Sequence, residues 1–254
     1  PAFSPDGATI VYRKGGGGFL RSELYSSNQG LYKVPAAGGP STLLVKRGVR
    51  PHFGKAGDRV FFQKPEGETR TLSSIGLDGR EERAHFASKD ATEFRVSPDG
   101  KWVAFREGFK AFIGAFAMAG QKIDLGPKTS GFPVAQVSKE AGEYLHWSGD
   151  SSKLHWALGP ELFERSLKDT FKFVANAETL PDPPATGRDI GFTADADIPK
   201  SKIALVGGRV VTMKGDGVIE DGVVVVENNR IAAVGPRGST RVPADAKVVN
   251  VAGK

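Results

Sequence analysis

The stretch "VSPDGKWVAF", Val96 to Phe105, decides how the chain is read. Ser97 enters a turn, Pro98 supplies a φ near −65°, Asp99 offers a side chain that bonds its own backbone, and Gly100 accepts positive φ. Trp102 and Ala104 then alternate with Val103 and Phe105, giving a strand with two usable faces. Degenerate copies begin at Phe3 ("FSPDGATIVY"), Phe53 ("FGKAGDRVFF") and Trp147 ("WSGDSSKLHW"). Their spacing of about 40–50 residues is that of a propeller blade built from four short strands. A second strand pair around a small-residue turn follows each copy, over Leu31–Val45, Thr71–Phe86, Ala111–Gly126 and Leu162–Ala175. One such sheet cannot bury both of its faces; stacked against neighbours it can.

The second copy, with Gly54-Lys55-Ala56-Gly57-Asp58, and the fourth, with Ser148-Gly149-Asp150, depart from Ser-Pro-Asp-Gly and rest on spacing. Calcium loops need several oxygen ligands in a short span, and each of these turns offers one aspartate, so Asp6, Asp99 and Asp150 read as turn residues. The repeats resemble those of TolB-like β-propellers, over roughly residues 1–175. The repeats give about four blades, the first lacking its innermost strand upstream of Pro1; the resemblance implies that the ring is incomplete and that the location is periplasmic or secreted.

Hydrophobic residues make up 39% of the 254 and charged residues 25%, which is ordinary for a globular chain and argues against wholesale disorder. The 33 glycines and 16 prolines fit many short strands joined by tight turns. The net charge of +6 comes from 35 basic and 29 acidic residues that are interspersed, without a basic block or regularly spaced aromatic partners. Nucleic acid is therefore not an expected partner. With no cysteine, disulfides, thiolate catalysis and Cys-based zinc sites are excluded. No apolar run approaches the roughly 18 residues of a membrane span. A chain opening on Pro1 without Met is expected to have lost its natural start.

From Thr179 to Lys202 the text turns to prolines, small residues and acids without period, which reads as a linker over residues 176–200. A Val-rich rhythm follows. It predicts strands at Ile203–Met213, Gly222–Glu227, Arg230–Gly235 and Val248–Val251, with Asn228-Asn229 as a hairpin turn and Gly207-Gly208 as a bulge. The series "ALVGGRVVTM", "IEDGVVVVENNRIAAVG" and "VPADAKVVNVAGK" resembles the N-terminal strands of the amidohydrolase superfamily, over residues 201–254. The resemblance implies half of a small composite β-sandwich, with the metal-dependent barrel beyond Lys254. The passage Leu158–Phe173 and the Pro-rich stretch are similar to proteins in which a TolB-like propeller precedes such an enzyme. The expected fold is thus all-β: a partial propeller over 1–175, a linker over 176–200, and an incomplete sandwich over 201–254.

Amidohydrolases activate water on divalent metal held by a His-x-His pair and further ligands. The four histidines here are His52, His85, His146 and His155; none forms His-x-His, and none lies in the amidohydrolase-like stretch. No catalytic, cofactor-binding or metal-ligating residue is assigned, and a zinc-type divalent metal is expected only in the barrel outside this chain. His146 and His155 fall in "LHWSGDSSKLHW", where a hairpin would bring them together, yet two imidazoles without a third ligand make a weak zinc case. No Gly-x-Ser-x-Gly elbow is present. The run Gly15–Gly18 lacks the Lys-Ser/Thr of a phosphate loop and reads as a long turn; Gly126-Pro-Lys-Thr-Ser130 lacks the leading glycines. Gly215-Asp-Gly217 follows no βα unit, and Glu220-Asp221 begins a turn.

Three functions fit this text. The first is the non-catalytic front portion of a metal-dependent amidohydrolase, whose partner is the rest of its own chain. The second is a TolB-like module binding a peptide or protein on its propeller face. The third, with least support, is the accessory propeller of a peptidase. The first also predicts that the sheet of residues 203–251 leaves an edge unpaired or a Val/Ile face exposed.

Overall fold

A computed structural model describes residues 1–15, 28–118, 120–197 and 199–254. The chain divides into two compact units, Pro1–Gly191 and Phe192–Lys254.

The first unit holds four sheets in sequence, antiparallel except at one edge strand. Blade 1 runs β1 (Ala2–Phe3), β2 (Thr9–Lys14), β3 (Gly30–Pro35), β4 (Thr42–Val45). Blade 2 runs β5 (Val49–Phe53), β6 (Arg59–Glu66), β7 (Thr69–Gly76), β8 (Arg83–Ser88). Blade 3 begins with β9 (Ala91–Val96), β10 (Trp102–Glu107) and β11 (Lys110–Ala115). The chain then leaves that sheet: β12 (Ile123–Asp124) pairs in parallel with β8 at the outer edge of blade 2, and β13 (Val134–Gln136) returns to pair with β11. Blade 4 runs β14 (Glu143–Trp147), β15 (Lys153–Leu158), β16 (Glu161–Ser166), β17 (Arg188–Asp189).

Period-2 alternation makes each blade two-faced. On β6, Phe62 packs with Val11, Leu31 and Val60 towards blade 1, whereas its neighbour Phe61 packs with Phe94 and Phe105 towards blade 3. On β10, Phe105 faces blade 2 while Ala104 joins Leu145, Leu154 and Trp156 towards blade 4. Three apolar clusters thus weld the four blades. Among the described residues no such cluster joins blade 4 to blade 1, so the blades form an open arc.

The turn residues bond as their chemistry demands. Ser97 Oγ donates to Asp99 Oδ1 at 2.6 Å and accepts the Trp102 amide at 3.0 Å, while Asp99 Oδ1 accepts the Lys101 amide at 3.1 Å. Ser4 with Asp6, and Ser148 with Asp150, repeat this network. In the fourth turn Ser151 takes the left-handed position (φ 64°) that Gly100 holds in the third, and its hydroxyl accepts the Asp99 amide at 3.0 Å. Gly54 has no hydroxyl, and the second turn is left with the Gly57-to-Gly54 backbone bond of 3.1 Å.

Three strand expectations need correction. The innermost strand of blade 1 is present as the two residues Ala2–Phe3. The outer strand of blade 3 is not within Ala111–Gly126, because buried Phe116 and Leu125 pack into the blade 2–3 cluster and draw that segment across to blade 2. After β16 the stretch to Ala175 forms no strand. Phe171 stacks on Trp102 at 4.9 Å, and Lys172–Ala175 makes one helical turn, α1. The blade's fourth strand comes instead from the Pro-rich stretch. Arg165, almost fully buried, donates to the carbonyls of Asp169, Pro181 and Asp182 at 2.6–2.7 Å and holds that stretch against blade 4. Residues 176–191 therefore belong to the first unit.

The second unit is one four-stranded sheet: β18 (Lys202–Val211), β19 (Val218–Glu227), β20 (Arg230–Pro236) and β21 (Lys247–Asn250). Its order is β20-β19-β18-β21, with β21 parallel to β18. Asn228 and Asn229 both sit at positive φ (49° and 64°), as a tight β19–β20 hairpin requires. The register slips between Val206 and Gly208, placing the bulge at the Gly-Gly pair. Ala204, Val223 and Val225 form the core, backed by Val206, Ala233, Val242 and Ala246. Ile231, Val234 and Val248 remain exposed.

Candidate functional site

The inner strands of blades 2, 3 and 4 carry three equivalent triplets: Arg50-Pro51-His52, Glu93-Phe94-Arg95 and Tyr144-Leu145-His146. The middle residue of each is buried, which turns the outer two towards a groove of about 380 Å³. β5 and β14 are bulged here, and Arg50 (φ 53°) and Tyr144 (φ 57°) lie in the left-handed region. Such backbone costs about 1–3 kcal/mol per residue and persists only where its surroundings impose it. Each bulge carbonyl lies near the imidazole two residues on: His52 Nδ1 is 3.3 Å from Arg50 O, and His146 Nδ1 is 3.1 Å from Tyr144 O.

Neighbouring blades dress the inner edge of β9. His52 Nε2 accepts the Val96 amide at 3.0 Å, Trp147 Nε1 donates to Arg95 O at 3.0 Å, and Gln63 Nε2 donates to Phe94 O at 3.3 Å. His52 must be neutral at Nε2 to accept that bond. Burial, with Arg95 second, pushes its pKa down to about 3. Glu93 is 1% exposed, and its Oε1 lies 3.1 Å from Arg50 Nη1 and 3.2 Å from Arg95 Nε. Beside this trio Tyr144 is 72% exposed. Guanidinium and phenol donors around a groove can hold a ligand, but arginine cannot shuttle a proton.

The residues singled out from the sequence fall elsewhere or take structural parts. His146 and His155 do pair across β14 and β15, with rings stacked at 5.0 Å. Glu164 Oε2 lies 3.8 Å from His155 Nδ1, and no group of three or more acidic, Cys or His side chains able to hold a metal occurs among the described residues. Burial, then His146, holds the His155 pKa down. His85 bonds Ser74 Oγ at 2.8 Å, and burial pushes its pKa down to about 4. Glu220 meets Arg209 at 3.4 Å on the surface. Gly215 turns the chain between β18 and β19 at φ 57°. Of the run Gly15–Gly18, all but Gly15 lies outside the described residues.

A larger groove of about 790 Å³ lies at the blade 2–3 boundary beside Ser88, Asp90, Glu107 and the loop of residues 123–130. Ser88 Oγ donates to Glu107 Oε2 at 3.3 Å, and burial raises the Glu107 pKa. It has neither a buried ion trio nor strained inner-strand residues, so the inner-strand groove is the stronger candidate. Reading the sequence for catalytic motifs missed Arg50, Glu93 and Arg95. The available signal was their alignment: polar residues two apart, flanking an apolar one, at the same offset in successive repeats.

No protein-family model matches the chain, and no curated protein sequence does. Solved structures similar to it are β-propellers. TolB from Acinetobacter baumannii superposes with a TM-score of 0.50 at 13% identity, covering 90% of this chain and 51% of that one. The putative TolB from Agrobacterium tumefaciens gives 0.45 at 15%, covering 65% and 60%. The propeller domain of the Trilobed protease from Pyrococcus furiosus gives 0.42 at 8%, covering 91% and 69%. The chain thus spans about half the length of the first TolB structure. The likeness is one of fold: an all-β, TolB-like propeller. These structures do not support the amidohydrolase resemblance of the last strands. No helix among the described residues is long and apolar enough to cross a membrane.

Proposed function

We propose that the first unit is a binding module that holds a peptide or protein segment in its inner-strand groove, without chemistry of its own. The observation that carries this reading is the pair of left-handed residues, Arg50 and Tyr144, which place a guanidinium and an exposed phenol beside the Arg95–Glu93 ion pair. Both residues sit in β-bulges at the same offset of two blades, and bulges beside a groove serve to re-aim side chains towards it. Propellers commonly bind through surfaces of this kind. The TolB-like character of the repeats supports a periplasmic or secreted place of action. The test is equilibrium binding of peptides selected from a displayed random library, with Tyr144→Ala expected to weaken them. Equal binding by the variant refutes the groove.

A second reading keeps the last strands as part of an amidohydrolase-like composite sandwich, with a divalent metal held in a barrel beyond this sequence. The exposed apolar residues Ile231, Val234 and Val248 favour it, because a sandwich partner would cover such a sheet. Reading the gene past Lys254 tests it directly. An apolar-Pro-Gly step followed by His-x-His supports the reading, and a stop codon or an unrelated tail ends it.

A further inference from the structure

We infer that the ligand of the inner-strand groove presents a carboxylate, received by the free N–H groups of Arg50 and Arg95. This rests on the binding reading above and gives it a ligand chemistry. Glu93 binds both arginines through a single oxygen, using Nη1 of Arg50 and Nε of Arg95. Each guanidinium carries five N–H donors. The terminal nitrogens of Arg95, and Nε and Nη2 of Arg50, make no hydrogen bond or ion pair among the described residues. The Arg50 side chain is 42% exposed, so part of its donor set reaches solvent.

Charge points the same way. Among the described residues Glu93 is the only carboxylate lining the groove, and two arginines against it leave one net positive charge. His52 is held neutral and adds no cation. A cationic ligand would face that excess and find the one carboxylate buried and already engaged. A carboxylate would meet two planar donor forks whose orientation Glu93 has fixed in advance, which is the geometry that favours paired N–H···O bonds. Tyr144 supplies a hydroxyl and a ring face at the rim.

The experiment pans a random dodecapeptide phage library on the full chain, then measures synthetic copies of the enriched peptides by fluorescence anisotropy. Enrichment of acidic peptides is expected, with Glu→Gln or Asp→Asn copies losing roughly 10- to 100-fold in affinity, the scale of a charge-assisted bond. Arg95→Gln should remove most of that discrimination, and added salt should weaken binding. Arg50→Gln is the companion variant, because Arg50 is the more exposed partner and its loss disturbs the blade less. Neutral or basic peptides whose binding depends on Tyr144 but on neither arginine overturn the carboxylate assignment and leave the binding reading standing. A library from which no peptide binds overturns both.

Discussion

Acid should unlock the arc at a pH where carboxylates are still ionised, and His52 is the group to watch. Its Nε2 accepts the Val96 amide across the blade 2–3 boundary, and its pKa lies near 3 in the folded chain against an ordinary 6.5. The depressed value fixes the sign. Its contribution is fully present above the unfolded pKa, and it is lost as pH falls from about 6.5 towards 3. At about pH 5 the unfolded chain has bound this proton and the folded chain has not, which costs about 2 kcal/mol. His85, pushed down to about 4 by burial and by Arg59 and Arg83, loses a similar amount over the upper part of that window. Asp6 and Asp150 are held below the ordinary carboxylate range by their turn bonds, so their losses fall below about pH 4 and leave pH 5 to the imidazoles. The assay is urea unfolding followed by tryptophan fluorescence at about pH 7.5 and pH 5. All three tryptophans, Trp102, Trp147 and Trp156, lie in the first unit, so the signal reports on the blades. His52→Gln keeps an acceptor for the Val96 amide but cannot titrate. It should lose about 2 kcal/mol less than the natural chain between the two pH values. An identical loss in both proteins refutes the role given to His52.

Trp156 is 1% exposed within the blade 3–4 cluster, and Trp156→Ala should cost about 3–5 kcal/mol in denaturant unfolding. Arg165→Ala should release the carbonyls of Asp169, Pro181 and Asp182, read as faster amide hydrogen exchange over residues 181–190 with the inner blades unchanged. Ser97→Ala removes the acceptor for the Trp102 amide and should lower stability by about 1–3 kcal/mol. Gly54→Ala is the control: it removes no hydroxyl, its Cβ would meet Phe61 Cε2 at 3.4 Å, and no comparable loss is expected.

The blades were legible because their signals are local. The Ser-Pro-Asp-Gly turns name their own hydrogen bonds, and alternation on β6 and β10 assigns each large side chain to a face. What escaped was decided at a distance. Nothing near Ile123 says that it will pair with Phe86, since that depends on Phe116 and Leu125 finding the cluster of another blade. Arg165 reads as a surface arginine in "LFERS", and only the fold shows three carbonyls waiting for it. The candidate site was hidden for a similar reason. Arg50, Glu93 and Arg95 are ordinary charges until three strands from three blades converge, and the left-handed backbone of Arg50 and Tyr144 has no compositional mark. The last sheet was legible in its hairpin, its bulge and its fourth strand. The direction of that strand, parallel to β18, follows from the residues 237–246 that carry the chain back across the sheet.

The exchange of β12 bears on how such repeats can be shuffled. A cut at the blade boundaries, between Ser88 and Ala91 and again after Gln136, would excise the edge of blade 2 together with the whole of blade 3. Deletion of the third repeat alone leaves its neighbour with an uncovered β8. A graft that keeps every sheet whole therefore takes blades 2 and 3 as a pair, whereas blade 1, whose described strands all come from its own repeat, can be exchanged singly.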